Sequence, residues 1–189
     1  MSAIQMGTER KRLHPHKFTL WLAIGSIVMM FAGLTSAVIV KRNQADWQGF
    51  TLPTIFWYST GVLLLTSLTI QMCLRAFKER QMRRYRLLLS LTALGGFLFV
   101  GLQFRGFETL WAQGLRFTND VAVSFLYIIF GLHAVHVLGG IVALVVQFVR
   151  AFSGRSRNYS AVPIEIVSVY WHFVDLLWLY LLVFFIMIQ

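Results

Sequence analysis

Residues 121–149 read VAVSFLYIIFGLHAVHVLGGIVALVVQFV, a run without one lysine, arginine, aspartate or glutamate. A helix rises about 1.5 Å per residue, so about 20 apolar residues cross the hydrocarbon core of a bilayer. This run exceeds that length. Working outward, Phe18–Val40, Trp47–Leu74 and Leu87–Phe104 are equally free of charge, and the stretch from Ile166 to Gln189 is interrupted only by Asp175. Five such segments predict five crossings.

Composition agrees. Of 189 residues, 58% are hydrophobic and 13% charged, about half the ~25% charged share of an ordinary soluble domain. Five crossings use roughly 100 to 125 positions, which leaves only loops and a short amino-terminal tail. The expected fold is therefore an all-α integral membrane protein. It is an antiparallel bundle of five transmembrane helices in one domain over 1–189, with spans at about 18–40, 51–76, 87–107, 121–149 and 165–188.

The formal charge of +10 raises nucleic acid as a partner, but the basic residues flank the apolar runs and form no patch interleaved with aromatics. No nucleic-acid partner is expected. Their placement reads as topology. Arg10, Lys11, Arg12 and Lys17 precede the first span. Arg75, Lys78, Arg80, Arg83, Arg84 and Arg86 join the second to the third, and Arg150, Arg155 and Arg157 join the fourth to the fifth. Thirteen lie on that side against four on the other, Lys41, Arg42, Arg105 and Arg116. By the positive-inside rule the amino terminus is cytoplasmic and the carboxyl terminus periplasmic. The first apolar run is too long for a cleavable leader, so it is expected to remain as a span.

The single cysteine, Cys73, allows no intrachain disulfide framework and no multi-cysteine metal site. Trp47, Trp57, Trp111, Tyr127, Tyr170 and Tyr180 lie near span ends, where aromatic rings anchor at the interface. Gly95, Gly96, Gly131, Gly139 and Gly140 are small residues within spans, which in lipid indicate close helix approach. Arg105 and Glu108 are spaced as an i, i+3 ion pair.

Polar residues at membrane depth carry the functional question. In the fourth span His133, His136, Gly140, Ala143 and Gln147 recur at 3, 4, 3, 4 and share a helical face. In the fifth, Glu165, Ser168, His172 and Asp175 recur at 3, 4, 3. A charge at the centre of a span costs at least ~2.5 to 3.5 kcal/mol, so both rows must face protein. If the two helices are adjacent, the rows can meet at similar depth.

Three uses of such rows stay open: a metal site with four His and Asp ligands, a proton relay through Glu165, His172 and Asp175, or a polar clasp holding the helices in register. In the second span Thr60, Ser67 and Gln71 share a face with Leu64, the pattern of interhelical hydrogen bonding. No G-x-S-x-G, phosphate loop or H-E-x-x-H occurs, so no catalytic residue is assigned.

Two segments together carry a family resemblance. The fourth span reads Tyr127-Ile-Ile-Phe-Gly131-Leu-His133-Ala-Val-His136-Val137-Leu-Gly139-Gly140, and the fifth Tyr170-Trp171-His172-Phe173-Val174-Asp175-Leu-Leu-Trp178. Both resemble subunit III of the haem-copper oxidases, the cytochrome c oxidase family, in its short five-helix bacterial form.

The resemblance implies an accessory subunit of a terminal oxidase in the bacterial inner membrane, with no cofactor or metal on this chain. Haem and copper would reside in partner subunits I and II, and a larger respiratory supercomplex is a further partner it allows. It also implies bound phospholipid and support of proton uptake and turnover. On this reading His133, His136, Glu165, Ser168, His172 and Asp175 form a structural polar stripe or shape the lipid cleft.

One departure is that Ser26-Ile27-Val28-Met29 stands where family members often carry Ser-Glu-Val-Met, so no role of that glutamate transfers. The alternatives within the superfamily are an accessory subunit of a quinol oxidase or of a nitric oxide reductase. From another class, the alternative is an autonomous membrane metalloprotein or proton-coupled transporter.

Overall fold

A computed structural model describes residues 15–42, 52–114, 121–152 and 161–188. They form five helices: α1 (Pro15–Arg42), α2 (Ile55–Lys78), α3 (Met82–Ala112), α4 (Val121–Phe152) and α5 (Val162–Ile188). Each is long and apolar enough to cross a membrane, and the molecule is an all-α membrane bundle. Arg10, Lys11, Arg12, Trp47, Arg116, Arg155 and Arg157 lie outside the described residues.

The helix ends follow local chemistry. Pro15 opens α1 and Pro163 lies in the first turn of α5, where a missing N–H leaves no intrahelical bond unmade. Pro53 precedes α2, and its carbonyl accepts from the Phe56 N–H at 3.2 Å. The basic segment between the second and third spans is almost wholly helical. α2 ends in a Schellman turn in which Gln81 N–H donates to Ala76 O at 2.9 Å and Arg80 N–H to Phe77 O at 3.0 Å. Arg80 occupies the left-handed position of that turn with φ 58°, a place glycine usually takes. α3 ends before Gly114, whose φ of 79° supplies the same reversal without a side chain to clash.

α5 touches α1, α2 and α4; α3 touches α2 and α4; α4 also touches α1. The result is a row α1–α5–α2 laid on a row α4–α3. Among the described residues α1 and α2 make no contact with each other, so a strip of α5 stays open between them. α2 and α3, joined by the three-residue turn, are the most closely packed pair.

The core is aromatic and centred on α5. Trp178 is fully buried, with Phe130, Phe99 and Phe56 rings at 5.0, 5.5 and 6.0 Å. Trp171 is wedged between two glycines: a Cβ added at Gly96 of α3 would lie 2.9 Å from its ring, and one at Gly140 of α4 would lie 3.2 Å away. Close approach is thus the use of both, whereas Gly131, where the same was expected, has nothing within 4 Å. The expected ion pair between Arg105 and Glu108 forms at 3.1 Å on the surface of α3.

Trp57 and Trp111 are exposed near helix ends, as interfacial anchors would be. Tyr170 is not an anchor, because its hydroxyl donates to the His136 carbonyl at 3.0 Å inside the bundle. Tyr180 is paired as well, with Thr35 of α1 at 2.9 Å.

Candidate functional site

The polar residues of α5 are met by a ladder on α2. Trp178 Nε1–H donates to Thr60 Oγ1 at 2.9 Å, and Trp171 Nε1–H to Thr66 Oγ1 at 3.2 Å. His172 sits between Ser67 Oγ, 2.7 Å from its Nδ1, and Gln71 Oε1, 3.3 Å from its Nε2. Thr60, Ser67 and Gln71 lie seven and then four positions apart, two turns and one, so they present one face to the antiparallel α5. Thr66 joins the ladder from the adjoining side, and neighbouring hydroxyls tie α2 to α3: Thr69 to Thr92 at 2.9 Å, and Gln103 Nε2 to Ser59 Oγ at 3.1 Å.

The two rows therefore do not meet as their spacing allows. α4 and α5 are adjacent, but α5 presents Tyr170, Trp171 and Trp178 to α4, and His172, about 100° further round the helix, turns to α2. On α4, His133 is buried against Trp178 and Phe99, with ring centroids at 5.2 and 6.3 Å. His136 turns toward α1, its ring 5.8 Å from Phe31, with Nδ1 2.7 Å from the Leu132 carbonyl oxygen one turn back. Among the described residues no group of three or more His, Cys, Asp or Glu converges as a metal ion would require.

Glu165 closes one end of the α1–α5–α2 row. Its carboxylate oxygens lie 2.9 Å from Lys17 Nζ of α1 and 2.9 Å from Lys78 Nζ of α2. With the lysines 43% and 54% exposed, each pair contributes no more than about 1 kcal/mol. Its value is positional, because it ties together two helices that among the described residues share no other contact. Spacing along the chain carried no sign of this clamp, since its three members come from three spans. Ser168, one turn on, is buried.

Asp175 is 4% exposed, between the turns that carry Trp171 and Trp178. Neither Asp175 oxygen has a partner within hydrogen-bonding geometry. Both His133 nitrogens are in the same condition. Buried polar groups are satisfied in the large majority of cases, so these two residues call for a physical explanation.

Comparison with known proteins gives a consistent result. The family described as cytochrome c oxidase subunit III matches residues 14–188. "Probable cytochrome c oxidase subunit 3" of Nocardia farcinica is 32% identical over 165 residues, 85% of this chain and 80% of that protein. "Cytochrome c oxidase subunit 3" of Bacillus sp. strain PS3 is 27% identical over 166 residues, with the same coverage. "Probable quinol oxidase subunit 3" of Staphylococcus aureus is 26% identical over 172 residues, 88% of this chain and 85% of that protein.

Proposed function

We propose, from the premise that this chain belongs to the cytochrome c oxidase subunit III family, that it serves a cytochrome c oxidase by shielding and steadying the catalytic subunit. The chain is an accessory subunit of a haem-copper oxidase. The observation that carries this is the family match across all five helices, residues 14–188. Its partners on this reading are oxidase subunits I and II, which hold the haem and copper, and a respiratory supercomplex is the larger setting. The whole chain forms one membrane-embedded unit in the bacterial inner membrane, amino terminus cytoplasmic; the gathering of Lys17, Arg75, Lys78 and Arg150 at one end of the bundle supports that orientation.

The polar stripe serves architecture. His172 clasps α2 through Ser67 and Gln71, Glu165 clamps α1 to α2, and Ser168, His133 and His136 fill positions against neighbouring helices. Phospholipid is the ligand we assign to the open strip of α5. There Leu176, Leu179, Tyr180, Val183, Phe184 and Met187 line a groove of about 400 Å³. Its lining is apolar, as acyl chains require.

The test is to purify the oxidase with and without this chain. Haem spectra are expected to be unchanged, and the enzyme lacking the chain to lose activity sooner during turnover, in step with slower proton uptake. An unaltered inactivation rate contradicts the role. The similarity to the Staphylococcus aureus relatives supports a second reading, a quinol oxidase; the donor that the complex oxidises, reduced cytochrome c or a quinol, decides between them.

A further inference from the structure

His136 stands at the middle of the membrane. It is the sixteenth of the 32 residues of α4, so at about 1.5 Å per residue neither helix end is nearer than about 22 Å, and the ~30 Å hydrocarbon core encloses it. Its Nδ1 lies 2.7 Å from the Leu132 carbonyl oxygen. A carbonyl only accepts, so Nδ1 carries the proton and Nε2 keeps a lone pair. Among the described residues no donor meets that nitrogen. The ring is half-buried beside Phe31, and Nε2 is open to the surface, in contrast to the two sealed nitrogens of His133.

On a spanning helix an acceptor is harder to satisfy than a donor. The exposed hydroxyls of Ser26 and Thr109 donate to the Leu22 and Arg105 carbonyls one turn back, at 3.0 and 2.9 Å, because each helix carbonyl has a second lone pair to offer. The N–H groups of a helix interior are each spent on the carbonyl four residues back, so α4 holds none for His136. The bilayer core supplies neither water nor any other donor. The donor must come from polypeptide outside this chain. Gly139 marks the same edge of α4. It lies about 60° round the helix from His136 and is exposed, and an added Cβ there would meet nothing nearer than Tyr170 Oη at 3.7 Å, an ordinary contact. Packing inside the bundle makes no use of this glycine, whereas Gly140 beside it receives Trp171. A small residue on an outer face lets a second helix come close, and close approach is what a bond to an imidazole tied to its own backbone requires.

We propose that the edge of α4 carrying His136 and Gly139 is the seam on which another subunit of the oxidase docks, through a transmembrane segment that places a hydroxyl or amide donor on His136 Nε2 at mid-membrane depth. This rests on the accessory-subunit reading and adds to it the face and the contact. A wholly apolar segment leaves the nitrogen unpaired, as acyl chains do, so the seam selects a helix with a polar residue at one depth. That single bond fixes the register of the two subunits along the membrane normal.

Photo-crosslinking in the intact complex tests it. Val135, next to His136 and 63% exposed, is replaced by a benzophenone residue, Val135→p-benzoylphenylalanine. Illumination is expected to join this chain to a larger subunit of the oxidase. Adducts with lipid alone, or with a second copy of this chain, overturn the proposal. The rate at which the chain leaves the purified complex in detergent tests the bond itself. His136→Phe is expected to leave about threefold faster, the size of an average interhelical hydrogen bond in lipid, and His136→Gln, which restores an acceptor, to stay near the parent rate. Gly139→Leu, which blocks the approach, is expected to leave faster by about tenfold. Equal rates for the parent and His136→Phe, or equal losses for the phenylalanine and glutamine variants, overturn it as well. Should His136→Phe fail to assemble, the Val135 adduct decides alone. Haem content separates the two readings: a chain recovered without haem defeats the accessory role, whereas a haem-bearing complex with no adduct to a larger subunit defeats the docking seam only.

Discussion

Replacing Gly96 with leucine is expected to lower the stability of the bundle by about 3 kcal/mol or more, the upper range for forcing extra carbon into a well-packed interior. The first added atom already meets Trp171 at 2.9 Å and Ile141 at 3.2 Å, and neither can retreat. The indole is pinned by its bond to Thr66 on one side and by Gly140 on the other, so α3 must move away from α5. Thermal unfolding of the purified complex, followed through loss of this chain, measures the effect. Gly101→Leu is the control: it stands on the same helix with nothing within 4 Å of its Cβ position and is expected to change little. Equal losses at the two positions would show that helix propensity, not the Trp171 wedge, governs the result.

Trp178→Ala is the second large effect, about 3 to 5 kcal/mol, the range for truncating a buried tryptophan. In lipid the apolar transfer term is weak, because acyl tails are as apolar as the core. The loss is therefore one of packing: the ring contacts with Phe56, Phe99, Phe130 and His133 vanish together, as does the bond to Thr60. Trp178→Phe keeps most of the stack and removes the N–H, whose bond is worth about 1 kcal/mol. Thr60 loses little, since its hydroxyl also donates to Phe56 O at 2.7 Å. Denaturant midpoints of the two variants separate the contributions, and an alanine variant no worse than the phenylalanine one would remove the aromatic layer from the account.

The parts legible in the sequence were those that depend on a single helix. Charge-free runs marked the five helices because each crossing must bury its length in one apolar phase. The spacing of Thr60, Ser67 and Gln71 gave a face, and the face is used. Spacing says nothing of what lies opposite, however. The spacing of the rows on α4 and α5 allowed them to meet if the helices were adjacent, yet His172 looks to α2 and His136 to α1, because two tryptophans of α5 occupy the α4 side.

Likewise Gly96 and Gly140 read as points of close approach while Trp171, the residue that approaches, stayed hidden on a third helix. The same limit concealed the Lys17–Glu165–Lys78 clamp, where every member sits in its own span and has no local signature. Asp175 was legible as an ionisable residue that must face protein; that its oxygens would be left without partners was not, because one helix does not show what lies opposite it.

The family match places the chain within a haem-copper oxidase. The most direct measurement is to recover the chain from its membrane in mild detergent by an affinity tag and to record the reduced-minus-oxidised spectrum of what comes with it. The account predicts haem bands in fixed ratio to the chain together with the larger oxidase subunits. Recovery of the chain free of haem, whether alone or carrying a stoichiometric metal of its own, would contradict it.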